Sequence, residues 1–263
     1  MGSHRLKLID AHCHIDANDF DKDRFDILRS AYNKGVIAVI SSALGVDSIQ
    51  KTLRLIEEIK SDTIPHLYPC FGLEPYELDE KEFQAVVDII KRSVDVIVGV
   101  GEVGLDFYRI SNHKERKTQI ARFGEFVHLA GENELPLIVH SRSSGKYALN
   151  ILKEMNAEHV LMHAFDGKTR WAKIGVDLGY YFSIPTSVVH SSQKQKLTKA
   201  VPLEQLMLET DSPVLGPEKG SRNVPGNLPI AAKKVSEIKG VDIERVAEAT
   251  YKNARNLFSL SLS

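Results

Sequence analysis

Cysteine is scarce in this sequence, which has Cys13 and Cys70 and no other among its 263 residues. Two thiols are too few for a disulfide framework. This excludes a small secreted scaffold held together by disulfides and favours a reducing compartment. No apolar run approaches the roughly 20 residues of a membrane-spanning helix, and no cationic start leads into an apolar signal segment. We therefore predict a soluble, cytoplasmic protein with no membrane partner.

An excess of charge of one sign is also missing, because 34 basic residues face 35 acidic ones. A formal net charge of -1 excludes the large basic surface with which a protein wraps duplex nucleic acid. A small pocket that binds phosphate needs no such surface. The hydrophobic fraction of 43% is ordinary for a globular protein with a sizeable core.

The sequence does contain a regular succession of short apolar runs with amphipathic segments between them. The runs are mostly continuous, not alternating, which is typical of parallel strands buried on both faces. The intervening segments place apolar residues at helical spacing, as in Phe25, Leu28 and Ala31. We predict strands near Leu6–Ile15, Val36–Ala43, His66–Leu73, Val96–Val103, Pro136–Ser141, His159–Phe165, Tyr180–Ile184 and Leu206–Glu209.

Eight strand–helix units in one chain predict an α/β fold closed into a (β/α)8 TIM barrel. An open, doubly wound sheet is the alternative, because it has the same rhythm of strands and helices. No linker interrupts the pattern, so we expect one domain over residues 1–263. Asp242–Leu257 is predicted to form an extra outer helix, and Ser212–Pro229 an irregular segment over the barrel mouth. Met1–His4 has the composition of an expression-tag remnant, so we exclude His4 from the candidate site.

Histidines and carboxylates follow the predicted strands at their carboxyl ends. His12 and His14 close the first strand, two residues apart and therefore on one face. The carboxyl ends of barrel strands meet at one mouth, so these side chains are expected to lie close together. The candidates at the ends of the fourth, fifth, sixth and eighth strands are Glu102, His140, His163 and Asp211.

Imidazole and carboxylate ligands suit zinc, manganese, iron or nickel, and an oxygen-rich subset suits magnesium. One tetrahedral ion needs four ligands, so six indicate a site for two divalent metal ions. The alternative, in which each histidine is an ordinary core residue, would bury too many unpaired polar groups. His66 begins the third strand and is expected at the opposite face of the barrel.

The motifs around these residues resemble those of the TatD family of metal-dependent hydrolases, in family order and over nearly the whole chain. The resemblance implies a barrel of the metal-dependent amidohydrolase type with two metal ions, and phosphodiester cleavage supported by Mg²⁺, Zn²⁺ or Mn²⁺. Family members include deoxyribonucleases, some of which are 3′ exonucleases on single strands. The matching segments are Ile9–His14, Val100–Phe107, Val139–Arg142, His163–Gly167, Leu208–Pro213 and Arg222–Asn223.

The resemblance also implies a role for each candidate. Arg142 and Arg222 would contact the substrate phosphate. Asp106 and Tyr108 follow Glu102 and could line the substrate cleft, although Asp106 could equally cap a turn. The implied ligands are His12, His14 and Asp211 for one metal ion and His140 and His163 for the second, with Glu102 bridging both.

Three of the motifs depart from the family pattern. Glu74 stands where family members commonly have histidine, and a carboxylate there would repel an anionic substrate. Val224 follows Arg222-Asn223 in place of the usual glutamate. Ala164 and Asp166 replace the usual cysteine and serine after the sixth strand.

We predict a hydrolase, most simply a deoxyribonuclease of 3′ exonuclease type, in which two metal ions activate a shared water for attack on phosphorus. Asp211 and Glu102 are the predicted catalytic residues, with Asp211 as the general base. The predicted substrate is single-stranded DNA or another phosphodiester. One alternative is a two-metal hydrolase of a non-nucleic ester or amide, which Glu74 favours. The other is a non-catalytic barrel that binds nucleic acid or a partner protein, which would not need an intact ligand set.

Overall fold

In a computed structural model that describes residues 6–59 and 61–262, eight parallel strands form one sheet in chain order. Met1–His4, the predicted tag remnant, lies outside these residues. The strands are β1 (Leu8–Cys13), β2 (Val36–Leu44), β3 (His66–Gly72), β4 (Gly99–Gly104), β5 (Leu137–His140), β6 (Val160–Met162), β7 (Tyr181–Pro185) and β8 (Leu206–Glu209). All eight predicted strands are thus confirmed, most of them with shorter bounds.

Helices separate the strands, as the apolar spacing predicted. They are α1 (Arg24–Asn33), α2 (Val46–Glu58), α3 (Glu80–Arg92), α4 (His113–Glu132), α5 (Gly145–Glu154), α6 (Thr169–Asp177), α7 (Ser192–Ala200), α8 (Leu228–Lys239) and α9 (Ile243–Leu257). The extra outer helix predicted after β8 is therefore present as α9. Within residues 6–59 and 61–262, no helix has the length and apolar character needed to cross a membrane.

The first and last strands meet at their carboxyl ends. The amide of Asp211 donates to the carbonyl of His12 at 2.9 Å, and the amide of His14 donates to the carbonyl of Ser212 at 2.9 Å. Deeper in this seam, Oδ1 of Asp10 accepts from the Thr210 amide at 2.8 Å. The sequential strand order and this closure exclude the open, doubly wound alternative and confirm the (β/α)8 barrel.

Two apolar layers position the strands. The larger layer lies between strands and helices; α3, for example, buries Phe83, Val86 and Ile90 at helical spacing. The smaller layer fills the barrel interior, where Ile138 and Leu161 lie two residues before His140 and His163 and so share their inward face. The segment after α9 packs into this interior layer through Phe258, Leu260 and Leu262. Polar side chains at the mouth therefore rest on an apolar floor.

Candidate metal centre

The six predicted side chains come together at the barrel mouth. They form three overlapping groups whose ligand atoms lie within 4.8 Å of one another. The groups are His12 with His14 and Glu102, His12 with His163 and Asp211, and Glu102 with His140 and His163. The strand ends thus converge as the barrel geometry predicts.

Four atoms define the more regular half of this cluster. Nε2 of His12 and Nε2 of His14 are 3.2 Å apart. Each is 3.3–3.4 Å from Oε2 of Glu102 and 3.4–3.5 Å from Oδ1 of Asp211. Ligands about 2.1 Å from a tetrahedral ion are separated by about 3.4 Å. The spacing of these four atoms therefore fits a divalent cation.

The other half of the cluster lies on the opposite oxygen of Glu102. Oε1 of Glu102 contacts Nδ1 of His140 and lies 3.7 Å from Nε2 of His163. One carboxylate thus directs its two oxygens toward two different pairs of imidazoles. A carboxylate that bridges two cations has the same arrangement.

Each imidazole is held through the nitrogen that points away from the cluster. Nδ1 of His14 lies 2.9 Å from the Ser42 carbonyl, so this nitrogen carries the proton and leaves Nε2 free to bind a cation. Oδ2 of Asp106 accepts from Nε2 of His140 at 3.2 Å. Oε2 of Glu209 accepts from Nδ1 of His163 at 2.8 Å. Such outer contacts fix the tautomer and ring orientation of metal-binding histidines.

The electrostatics of the cluster favour bound positive charge. Burial lowers the pKa of His12, but hydrogen bonds to Asp211 and Glu102 outweigh it and raise that pKa to about 9. Burial also lowers the pKa of His140, but the charge of Glu102 outweighs it and raises that pKa to about 10. Burial raises the pKa of Asp211, yet His163 and hydrogen bonds from His12 and His14 lower it on balance. A cation that binds these atoms must therefore displace protons, so its affinity will rise with pH.

Of the residues predicted to contact substrate, Asp106 and Arg142 lie beside the cluster, and Tyr108 lies against Arg142. A cavity of about 880 Å³ above it is lined by Asp106 and Arg142. Besides lining this cavity, Asp106 caps a turn, because its Oδ1 accepts from the amides of Tyr108 and Arg109. The guanidinium of Arg142 stacks 3.9 Å from the ring centre of Tyr108, whose side chain is 67% exposed.

Among the predicted site residues, Arg222 is the one whose side chain is paired away from the cavity. Its guanidinium donates to both carboxylate oxygens of Asp23, at 3.0 and 2.6 Å, and to the Asp19 carbonyl. These contacts tie the segment after β8 to the start of α1. A phosphate contact from Arg222 would require the guanidinium to leave Asp23.

Two further features of the cavity were missed by the sequence analysis. Lys194 of α7 is buried, and its Nζ donates to the carbonyls of Ala164 and Phe165, just after β6. The sequence indicates this burial only through the spacing of Lys194, which lies three residues before the buried Leu197 and so on the same face of the helix. The second feature is Tyr76, whose side chain shares a hydrogen bond with Glu74. Burial, followed by the charge of Glu102, raises the pKa of Glu74.

A (β/α)8 barrel with paired imidazole–carboxylate groups at its mouth defines a metal-dependent hydrolase of the TIM-barrel class. The profile described as TatD related DNase matches residues 9–259. The chain belongs to this family, which confirms the resemblance found in its motifs.

Several known proteins are similar along nearly their whole length. The human deoxyribonuclease TATDN3 is 41% identical, covering 95% of this chain and 94% of its own. An uncharacterized metal-dependent hydrolase from Methanocaldococcus jannaschii is 34% identical, covering 98% and 99%. Among solved structures, the TatD homologue YJJV of Escherichia coli superposes with a TM-score of 0.87 at 26% identity, covering 97% and 98%.

Proposed function

We propose that the whole chain acts as one metal-dependent hydrolase domain that removes nucleotides from the 3′ end of single-stranded DNA. The observation that carries the proposal is the position of Glu102, whose two oxygens face separate imidazole pairs. The names of the human and archaeal relatives, a deoxyribonuclease and a metal-dependent hydrolase, support the same reaction class.

Two divalent ions fit the donor set, because nitrogen and oxygen ligands suit Zn²⁺ and Mn²⁺ and the carboxylates suit Mg²⁺. When bound, such ions supply the positive charge that acidifies a water and stabilises charge developing on phosphate oxygens. In our assignment His12, His14 and Asp211 would hold one ion, His140 and His163 would hold the other, and Glu102 would contribute one oxygen to each.

The remaining roles belong to side chains of the mouth. Asp211 is the proposed general base, because its carboxylate lines the cavity that an attacking water would occupy and can accept a proton from that water. Arg142 is the proposed phosphate contact, because its exposed planar fork matches two phosphate oxygens. Its stacking on Tyr108 fixes the plane in which it presents those donors.

The shape of the mouth supports a single strand with a free end. Glu102 is 4% exposed and Asp211 is 6% exposed, so a scissile phosphate must enter the cavity to reach them. A phosphate within an intact duplex would have to carry its paired strand into the same space. An unpaired end can enter alone.

Elemental analysis together with a cleavage assay tests the proposal. We expect about two metal ions per chain and stepwise shortening of a 5′-labelled single-stranded oligonucleotide with Mg²⁺, Mn²⁺ or Zn²⁺. Asp211→Asn should keep the melting temperature within a few degrees of the parent and lose roughly 100-fold or more in turnover. Wild-type turnover in that variant would remove Asp211 from the reaction. Bound metal without cleavage of any oligonucleotide would contradict the assignment of DNA as substrate.

Glu74 favours a second candidate, a hydrolase of a neutral ester or amide with the same centre. Its carboxyl group lines the cavity beside the proposed ligands, where an ionised carboxylate opposes an anionic substrate. Turnover of a neutral aryl ester above that of bis(p-nitrophenyl) phosphate would support this candidate over the phosphodiesterase.

A further inference from the structure

A second concavity adjoins the mouth and is unusually basic for a chain of net charge -1. It has a volume of about 720 Å³ and lies between the start of α5 and the start of α6, with α7 along one side. Its cationic lining residues are Lys146, Lys168, Arg170 and Lys196. Among the described residues of the lining, the acidic one is Asp166, whose Oδ2 already accepts from the Ser143 amide at 2.8 Å.

Aromatic rings accompany these cations. Trp171 lines the concavity, with Nζ of Lys146 5.1 Å and Cζ of Arg170 5.0 Å from the centre of its ring. Tyr147, also in the lining, is 51% exposed. Its ring lies 5.1 Å from that of Phe107, which follows β4 beside the mouth. Exposed aromatic surface and positive charge are thus combined on one side of the barrel.

The basic concavity adjoins the metal-site cavity. Asp166 lines both of them, and Arg142 of the mouth is followed directly by Ser143 of the concavity. A polymeric substrate with one end at the metal cluster can therefore extend directly into the concavity.

We propose that this concavity binds the stretch of single-stranded DNA that lies outside the mouth, with phosphates on its lysines and a base stacked on Trp171. Positive grooves with aromatic rings are the usual means of binding single strands without sequence preference, since every base presents a π face. A protein partner would have to bring acidic side chains to match the four cations, whereas a single strand supplies both phosphates for the cations and bases for the rings. The inference rests on the proposed function, because it extends the substrate of the same site.

The test separates the concavity from the metal site by substrate length. The substrates are oligo(dT) of 2, 4, 8 and 16 nucleotides and bis(p-nitrophenyl) phosphate, which has no further nucleotide to place in the concavity. We expect KM of the wild type to fall with length. Trp171→Ala should raise KM for the longest oligonucleotide roughly 5- to 150-fold and leave the dinucleotide and the small ester unchanged, whereas Trp171→Phe keeps a stacking surface and should restore most of the loss.

Charge is tested by a second pair of variants. The double variant Lys168→Gln/Lys196→Gln should bind oligo(dT) with a weaker salt dependence. The slope of log K against log[salt] should become less steep by about 0.7 for each phosphate that the lysines no longer neutralise. The matched control is Lys91→Gln with Lys153→Gln, which removes two exposed lysines from the last turns of α3 and α5. This control should bind like the parent. Because these lysines are exposed, neither pair is expected to unfold the protein.

Binding is measured by fluorescence anisotropy in the Asp211→Asn background, so that the strand stays intact. Unchanged affinity and unchanged KM in both the Trp171 and the lysine variants would overturn the inference, and would also be the result if the surface served a protein partner. Failure of the wild type to cleave any oligonucleotide would instead contradict the proposed function, and the anisotropy comparison would still decide whether the concavity binds DNA.

Discussion

Oε2 of Glu209 lies 2.8 Å from Nδ1 of His163, and both side chains are buried beneath the metal centre. Ser183 donates a second hydrogen bond to the same oxygen at 2.6 Å. Oε1 of Glu209 accepts from the amide of Ala164 at 3.0 Å. Glu209 therefore fixes both the ring of His163 and the backbone that follows it.

We expect Glu209→Gln to lower the affinity for the ion that His140 and His163 are proposed to hold about 10- to 100-fold, because the neutral amide orients and polarises His163 less well. Isothermal titration calorimetry with the metal ion measures this affinity. Ser183→Ala is the control, since it removes a neighbour of Glu209 and leaves the contact with His163 in place. Equal affinity in Glu209→Gln and the parent would show that His163 needs no such support.

Glu74 should make DNA cleavage depend on pH in a way that a variant can remove. Burial, followed by the charge of Glu102, raises the pKa of Glu74 above 4.5. Below its raised pKa the carboxyl group is neutral, and above it the carboxylate repels phosphate. In the parent, KM for DNA should therefore increase as the pH rises through that pKa. In Glu74→Gln this increase should be absent, so the ratio of the parent KM to the variant KM should rise over the same pH range. Kinetics at saturating metal measure this ratio; a ratio constant from about pH 4.5 to 8 would contradict the expectation.

The two predicted phosphate-binding arginines should differ. Arg142 opens onto the cavity, whereas the Arg222 guanidinium is engaged by Asp23. We expect Arg142→Ala to raise KM for DNA about 10-fold or more, consistent with the loss of a charge-assisted contact of about 1.5 to 3 kcal/mol. Arg222→Ala should raise KM less. Asp23→Asn releases Arg222, so a lower KM in that variant would show that Arg222 can reach the substrate.

Gly72 should tolerate no side chain, because a Cβ there would lie 2.6 Å from the carbonyl carbon of Gly101 and 2.7 Å from the nitrogen of Glu102. We expect Gly72→Ala to lower the free energy of unfolding by about 1 to 3 kcal/mol and to displace Glu102. Gly131→Ala in α4 is the control: apart from the neighbouring backbone of its own helix, no described atom lies within 4 Å of its added Cβ, and it should stabilise the helix by up to about 1 kcal/mol. Chemical denaturation of the two variants gives the comparison.

Removal of metal should lower the melting temperature. Each ion at 100 times its dissociation constant stabilises the native state by about 2.7 kcal/mol, which corresponds to about 5 to 10 °C per ion for a chain of this size. We expect a chelator to cause such a decrease and added Mn²⁺ or Zn²⁺ to reverse it, as followed by differential scanning calorimetry. Glu102→Gln should show a smaller change, since it loses charge from both halves of the site. A chelator effect as large in Glu102→Gln as in the parent would contradict the bridging role.

The strands and the imidazole–carboxylate cluster could be predicted from the sequence because both depend on local patterns. His12 and His14 follow an apolar run, and the barrel brings the ends of such runs to one mouth. The position of Arg222 could not be predicted in this way. Its partner Asp23 lies about 200 positions away in the chain, and no spacing rule indicates that the two pair.

Lys194 shows a different limit of sequence patterns. A lysine on a helix is usually exposed, and only its place on the face of Leu197 distinguished it from its neighbours. Its burial depends on the carbonyls of Ala164 and Phe165, which turn toward it after β6. Backbone direction in a loop of this kind is set by tertiary packing.

The segment after α9 determines when the barrel can be completed during synthesis. Phe258, Leu260 and Leu262 belong to the interior apolar layer, although they follow all eight strands in the chain. When β8 has emerged from the ribosome, the interior apolar layer still lacks Phe258, Leu260 and Leu262. Until the last turn of α9 and the residues that follow it are available, the other residues of this layer lack part of their apolar contacts, so we expect a partly synthesised chain to expose apolar surface of the kind that chaperones recognise.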